Sequence, residues 1–412
     1  MLSQADNERL TRVGPGTPMG ELYRRYWMPV AISDQVGARP VRRRLLGEDL
    51  VVFRTSDGRI GVVEERCAHR RTSLAVGFCD KNGIRCGYHG WLYGLDGKVL
   101  EQPAEPALNK QVKVKAYPAQ ELGGLIFTYM GPQPVPELPH FDLFVEQEGT
   151  SRDIGEAMLD FNWLQAMENS VDPHHVEWLH GAFMNADRAL KGMGEVKLTA
   201  KKHKKIGFSE FEYGIIKRRV VEGGTEDDDD WKIGHPLVFP HMLKLAGAGI
   251  GQFQIRVPID DVNTWHMWYN VWKTPAAMPR QTTIPSYTVP LKDEDGNWIL
   301  DFIDGQDISV WAEQGRIADR TKETLGASDK GIAMYRRMLL QQIKVVEEGG
   351  DPIGVVRDPE VAKFIELQTE ANKLGDAMGF VYLMLTEQAA RYSPLNRQLI
   401  ERFGFLEAAA AE

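Results

Sequence analysis

The stretch CAHRRTSLAVGFCDKNGIRCGYHGW, residues 67–91, carries Cys67-x-His69 and Cys86-x-x-His89, with residues 70–85 between the two pairs. Two sulfurs and two imidazoles can close a tetrahedral zinc site. A zinc finger, however, normally groups its cysteines at one end and its histidines at the other, whereas here each short segment supplies one of each. A two-iron cluster with cysteines on one iron and histidines on the other needs that mixture, because two loops can then grip it from both sides. The third cysteine, Cys79, lies between the pairs at no ligand position and reads as a small buried hydrophobe.

The rest of the chain gives this stretch a setting. At 412 residues it is too long for one ordinary core, and two or three domains are expected. Hydrophobic residues at 43% and charged residues at 26% give the balance of a globular protein that stays in water. No apolar run approaches the roughly 18 residues of a bilayer span, and the polar start MLSQADNERL does not look like a secretory signal. The expectation is a cytoplasmic protein without a membrane role. A net charge of −9 argues against non-specific binding to nucleic acid or anionic lipid. Three cysteines make no disulfide framework.

Residues 41–130 alternate short apolar runs with turn signals such as GED and SDGR, and so read as strands. GPQPVPELPHF follows, and its prolines place a boundary near 132–150. FNWLQAMENSVDPHHVEWLHGAF has the composition of a helix interrupted at Pro173. Strand character returns from about 194 to 290; NTWHMWYNVWK is bulky on both faces and is expected to be buried on both. From Ile303 the pattern is helical, and the terminal EAAAAE reads as a frayed helix end. The class is α+β, a small all-β domain followed by a larger one that mixes strands and helices.

The larger region holds a second constellation. ENSVDPHHVEWLH contains Asn169, Asp172, His175 and His180 as N-x-x-D-x-x-H-x-x-x-x-H. Two neutral imidazoles and a distant carboxylate make the facial triad of non-haem Fe(II) oxygenases, which leaves positions open for O₂ and water. Taken alone, a histidine pair on a helix is more often structural.

Residues 67–91 resemble the Rieske [2Fe–2S] motif, with CGYHGW as its second half. Respiratory Rieske proteins carry an additional, disulfide-paired cysteine in each loop, which this sequence lacks. With the second constellation downstream, the chain resembles the Rieske non-haem iron oxygenases. The resemblance implies that Cys67 and Cys86 hold one iron of the cluster and His69 and His89 the other. It implies a mononuclear iron on His175, His180 and a carboxylate from DGQDISVWAEQGRIADR, namely Asp307, with Glu313 as rival and Asp304 and Asp319 as solvated or capping residues. Asp172 would bridge a cluster histidine of one subunit to an iron-ligand histidine of the next, which requires a head-to-tail homotrimer; its other reading is a helix cap. Asn169 would lie near the iron. Trp91 and QPAEP (102–106) would cover the cluster. The implied layout is an N-terminal segment 1–40 packing on the catalytic domain, a Rieske domain over 41–135, and a catalytic domain over 150–412 whose antiparallel sheet is flanked by helices.

LTRVGPGTPMGELYRRYWMPV, EQPAEP and QGRIADRTKETLGASDKGIAMYRRML are similar to the phthalate dioxygenase and 5,5'-dehydrodivanillate O-demethylase branch of that family. That similarity implies a terminal oxygenase fed with NADH electrons by a separate ferredoxin or flavin reductase; no G-x-G-x-x-G follows a strand in this chain. The implied reaction is O-demethylation of a methoxylated, lignin-derived aromatic acid such as 5,5'-dehydrodivanillate, or else cis-dihydroxylation of a phthalate-type ring. An aromatic carboxylate needs a buried cation. EYGIIKRRVVE offers Lys217, Arg218 and Arg219, where strand alternation turns Arg218 opposite to its neighbours, and Arg218 is the expected carboxylate partner. Arg256 is expected to be a structural ion-pair residue. KLTAKKHKKIG reads as a solvated strand edge or a docking site for an acidic ferredoxin, and TEDDDDW as an exposed loop.

Overall fold

The computed structural model describes residues 2–109 and 111–405, so the EAAAAE terminus lies outside the described residues. The chain divides into two compact units: Arg12–His140 with Val355–Phe364, and Phe141–Gly354 with the segments before Arg12 and after Phe364. The 1–40 segment, expected on the catalytic domain, is thereby split after Thr11. Helix α1 (Gln4–Thr11) buries Leu10 in the larger unit, and Asn7 Nδ2 donates to Ala318 O at 3.2 Å. Helix α2 (Pro18–Tyr23) belongs to the smaller unit; Thr17 caps it by accepting from Gly20 N, and Pro18 sits where no amide hydrogen is needed.

The smaller unit is built of short strands: β1 (Trp27–Ile32), β2 (Val41–Leu45), β3 (Glu48–Arg54), β4 (Ile60–Glu64), β5 (Phe78–Cys79), β6 (Gly83–Arg85), β7 (Leu92–Gly94), β8 (Val99–Glu101), β9 (Ala116–Tyr117), β10 (Ala119–Leu122) and β11 (Leu125–Tyr129). They form three sheets, ordered β2-β3-β4-β9, β5-β6-β7-β8 and β1-β11-β10. Leu46 and Gly47, both with positive φ, make the two-residue turn that pairs Leu45 with Glu48. Val51, Phe53, Val63, Leu74, Ile84 and Tyr93 form a core that also holds Cys67 and Cys86. The two sulfurs are thus part of the hydrophobic interior, as loops between short strands permit.

In the larger unit eight strands form one sheet: β12 (Ser151–Leu159), β13 (His203–Phe211), β14 (Gly214–Val221), β15 (His235–Val238), β16 (Met242–Gly247), β17 (Ile250–Asp260), β18 (Asn263–Trp272) and β19 (Ser286–Thr288). Their order is β13-β14-β15-β16-β17-β18-β12-β19, antiparallel except for the last pair. β18 lies between β17 and β12 and is buried along nearly its whole length, which is why its bulky residues occupy both faces. β13 is an edge, so the lysines of KLTAKKHKKIG lie at the sheet margin. Strand structure is narrower than expected: it begins at His203 and, after Trp272, returns only at Ser286–Thr288, because Pro275, Pro279 and Pro285 remove ladder donors.

Helices cover the sheet. α3 (Trp163–Ser170) starts on Asn162, whose Oδ1 accepts from Leu164 N, and stops short of Pro173. A turn, α4 (His175–Glu177), leads into a π-helical stretch over Trp178–Phe183 and then α5 (Met184–Leu190). TEDDDDW is not simply an exposed loop: it enters α6 (Asp229–Lys232), where Asp230 is buried against Arg219. α7 (Ile303–Glu313) and α8 (Lys330–Glu347) follow. Glu168 on α3 accepts from Arg320 and, at 2.6 Å, from Arg336 on α8, locking the start of the His-bearing segment to two distant elements. A Cβ at Gly331 would come 2.3 Å from Val171 O, so α8 reaches the end of α3 only because glycine stands there. No helix among the described residues is long and apolar enough to cross a membrane.

Candidate metal centres and active site

Each Cys-His loop of the smaller unit folds by the same two hydrogen bonds. Cys67 N donates to Thr72 O and Arg71 N to Cys67 O; Cys86 N donates to Trp91 O and Gly90 N to Cys86 O. The fifth residue of each loop is left-handed, Arg71 at φ 58° and Gly90 at φ 74°. Pro103 lies where a Cβ on Gly90 would point, at 3.3 Å, so the QPAEP segment borders the second loop.

The four candidate ligands separate into two pairs. Cys67 and Cys86 are buried, while His69 lies at the surface and His89 is half-buried, with ring centroids 4.5 Å apart. His69 stacks flat on Trp91 at 4.6 Å. Donors face the sulfurs. Tyr93 Oη lies 3.1 Å from Cys67 Sγ and accepts from Ala68 N, which leaves its own proton for the sulfur. Burial pushes the Cys86 thiol up, and the Tyr88 and His89 amides directed at it pull the other way. Among the described residues, the sets of three or more potential ligand atoms within 4.8 Å of one another do not include these four. A single tetrahedral ion therefore fits poorly. A two-iron unit, with a buried thiolate end supplied with hydrogen-bond donors and an imidazole end near solvent, fits well. Cys79, half-buried on β5 with its thiol pushed up by burial, is outside both pairs.

In the larger unit His175, His180 and Asp307 bring their ligand atoms within 4.8 Å of one another. His180 Nε2 lies 3.2 Å and His175 Nε2 3.8 Å from Asp307 Oδ1. α7 begins at Ile303, so Asp307 stands in its second turn and not at its start. Burial raises the Asp307 carboxyl, but the two histidines and Arg256 outweigh it and hold the group ionised. Two imidazoles and one carboxylate meeting at a buried point form a set suited to a divalent iron. Asn169 Nδ2 donates to Asp307 Oδ1 at 3.3 Å, and Gln306 Oε1 is 2.9 Å from His180 Nδ1.

Asp172 accepts from His174 N at 2.9 Å, and its other oxygen lies 3.6 Å from His175 Nδ1, which has no hydrogen-bond partner. Burial pushes this carboxyl up, but His175, the His174 amide and Lys217 bring it to about 2. His174 turns away from the triad toward Glu177 and His203. The other acidic residues are accounted for. Glu313 is exposed, and Asp319 is exposed and caps Thr321. Asp304 is neither solvated nor a cap: it is buried, accepts from Trp268 Nε1 and Ala389 N, and is pushed up to about 6. Arg256 makes no ion pair among the described residues; it donates to Gln254 and lies over Trp311.

A cavity opens beside the triad. Leu243, Leu245, Phe380 and Leu383 are among its apolar lining residues, and Lys217 and Arg219 line it as well. Arg218, the expected carboxylate partner, is not part of the lining; it points to the other face of β14 and donates to Ser209 Oγ. The alternation is as expected, but the phase is reversed, because β13 and β15 pin β14 with 217 and 219 inward. Arg219 Nε pairs with Asp230 at 3.0 Å, while its Nη2 is buried without a partner. Lys217 is 4% exposed, and among the described residues no side chain makes a hydrogen bond or ion pair to its ammonium. Burial, with Arg219 and Lys373 adding to it, lowers its ammonium to about 7. Glu370, held by Lys373 and by His235 at 3.0 Å, is the second carboxylate of this network. Three cations (Lys217, Arg219, Lys373) thus gather with three carboxylates (Asp172, Asp230, Glu370), Arg219 Nη2 is buried without an acceptor, and no side-chain hydrogen bond or ion pair among the described residues meets Lys217 Nζ. None of these long-range partners is marked by a motif.

A family model described as the Rieske [2Fe-2S] domain matches residues 26–118, and one described as LigXa C-terminal domain like matches 292–373. The chain is 41% identical over 378 residues to the 5,5'-dehydrodivanillate O-demethylase oxygenase subunit of Sphingobium sp. (strain NBRC 103272 / SYK-6), covering 90% of this chain and 87% of that protein. It is 31% identical over 400 residues to the phthalate 4,5-dioxygenase oxygenase subunit of Pseudomonas putida, covering 86% and 89%. Among solved structures, Pseudomonas putida CBB5 NdmA shares the fold, with a TM-score of 0.60 at 21% identity over 81% of this chain and 94% of that one.

Proposed function

The chain belongs to the Rieske non-haem iron oxygenases, and from that premise we propose that it is the terminal oxygenase of a system that O-demethylates a methoxylated aromatic acid of the 5,5'-dehydrodivanillate type. The observation that carries this reading is the pair of basic residues, Lys217 and Arg219, lining the cavity that also touches His175, His180 and Asp307, with Arg219 Nη2 buried without a partner and Lys217 without a side-chain ion pair among the described residues. One carboxylate placed there accepts from both, while the apolar residues of the lining receive the ring. An anchor in the cavity that the triad also lines orients the substrate.

In this reading Cys67, His69, Cys86 and His89 hold the [2Fe–2S] cluster, and His175, His180 and Asp307 hold a ferrous ion. When bound, these groups supply electron storage and O₂ activation. The balance is R–OCH₃ + O₂ + 2e⁻ + 2H⁺ giving R–OH, CH₂O and H₂O, with the electrons coming from NADH through a separate ferredoxin or flavin reductase. The protein's own residues bind and orient. Asn169 donates to the Asp307 carboxylate and fixes it, and the Asp172 carboxylate, 3.6 Å from His175 Nδ1, faces that ring. In a head-to-tail homotrimer Asp172 also reaches a cluster histidine of the next subunit and gives electrons a short route.

The test is turnover by the reconstituted system on methoxylated aromatic acids, their methyl esters and phthalates. The reading predicts one formaldehyde per O₂ from the acids and little turnover of the esters. Equal turnover of acid and ester contradicts the anchor, and a cis-dihydrodiol without formaldehyde replaces demethylation with ring dihydroxylation.

A further inference from the structure

The ring of His180 is fixed by a neighbour that no motif marks. Gln306 Oε1 lies 2.9 Å from His180 Nδ1, while Gln306 Nε2 donates to Leu300 O at 2.8 Å. The second contact decides the first. With its NH₂ end committed to a carbonyl, the amide turns its oxygen toward the imidazole, and an amide oxygen can only accept. His180 therefore carries a proton on Nδ1, which leaves Nε2, 3.2 Å from Asp307 Oδ1, as the nitrogen that would give its lone pair to a metal. Both side chains are buried, Gln306 completely and His180 to 3% exposure, so no water competes for Nδ1. His175 has no equivalent: its Nδ1 faces only Asp172, at 3.6 Å.

We infer that Gln306 is a positioning residue, holding His180 as a neutral, Nδ1-protonated imidazole aimed at the point it shares with His175 and Asp307, and thereby setting how tightly that point retains ferrous iron. The inference rests on the mononuclear-iron reading proposed above. α7 then serves the site twice, with Asp307 as a ligand and Gln306 as the residue that orients another ligand. Partners of this kind govern metal affinity by about 10–100-fold, because a ring free to rotate or change tautomer must be reordered each time the metal binds.

The experiment compares iron-loaded wild type with Gln306→Met, which keeps length but has no acceptor, and Gln306→Glu. A carboxyl in either protonation state accepts from His180 Nδ1, so Gln306→Glu keeps the acceptor that the amide supplies. Ferrous release to a chelator and the electron paramagnetic signal of the nitric oxide adduct report the mononuclear site, and the reduced cluster signal reports an intact fold. The expectation is ferrous release about 10–100-fold faster in Gln306→Met with an altered adduct signal, near-normal behaviour in Gln306→Glu, and an unchanged cluster signal in both. Wild-type retention and line shape in Gln306→Met overturn the inference and leave the iron site standing; a wild type without mononuclear iron overturns both. Should Gln306→Met not fold, proton spectra of the ferrous wild type decide: a contact-shifted, slowly exchanging imidazole N–H that His180→Ala removes is expected, and its absence contradicts the assignment.

Discussion

Lys217 is where single-residue physics bears most directly on the proposed chemistry. Burial depresses its ammonium from an ordinary 10.5 to about 7, so between those values the unfolded chain binds a proton that the empty folded protein does not. Its contribution therefore lets stability rise with pH across that window, and the cost of burying the charge is fully present below it. A carboxylate beside Lys217 reverses the preference and draws the proton back. Affinity for an aromatic acid should thus be highest below about pH 7 and weaken by up to about tenfold per unit above it, and Lys217→Arg, which stays charged, should flatten the profile. Equilibrium titrations from about pH 6 to 9 check this; identical slopes in both proteins would count against Lys217 as the anchor. Tyr93 makes a second prediction. Its hydroxyl is free to donate to Cys67 Sγ, and a donor on sulfur favours the reduced cluster, so Tyr93→Phe should lower the midpoint potential in a redox titration while leaving the cluster assembled. An unmoved potential would show that the proton points elsewhere. The candidate ligands Cys67, His69, Cys86, His89, His175 and His180 were legible in the sequence as candidates because they sit at short, chemically distinctive spacings, whereas Asp307 lies far from them along the chain. Lys217 was legible only as one of three adjacent cations, since the phase of a strand is set by its neighbours. Gln306 was not legible at all, because its role depends on where Leu300 and His180 meet in space.

At the scale of elements, the His-bearing segment depends on α3 being held at its base. Glu168 is buried between Arg320 and Arg336, and the attraction of both holds its carboxyl below the usual range in spite of burial. Glu168→Ala leaves two buried guanidinium groups without their shared partner. A loss of about 3–5 kcal/mol in denaturant unfolding is expected, with ferrous retention falling alongside it because Asn169 is the next residue. A loss under 1 kcal/mol would mean that the pair is dispensable. The depressed Glu168 stabilises the fold above its unfolded value, and that contribution fades as pH falls through the folded one. The break at Pro173 and the strand seen in NTWHMWYNVWK were legible, since proline and doubly bulky alternation act locally. The α6 turn was not: four consecutive aspartates read as solvent-exposed until Arg219, on a different element, is seen to bury Asp230.

At the scale of the whole molecule, two units each carry one of the two proposed ligand sets. Cys67, His69, Cys86 and His89 lie in the smaller unit, and His175, His180 and Asp307 in the larger. The order of the two motifs made this division visible in advance, whereas the N-terminal segment was not divided correctly, because nothing in LTRVGPGTPMGELYRRYWMPV marks Thr11 as the point where the chain changes partners. If each unit holds its own metal centre, damage to one should spare the other. The most direct measurement is anaerobic iron analysis with electron paramagnetic resonance on wild type and His175→Ala. The account predicts about three irons per chain in wild type and about two in the variant, with the reduced Rieske signal of equal intensity in both. Two irons in both proteins, or loss of the cluster signal in His175→Ala, would contradict it.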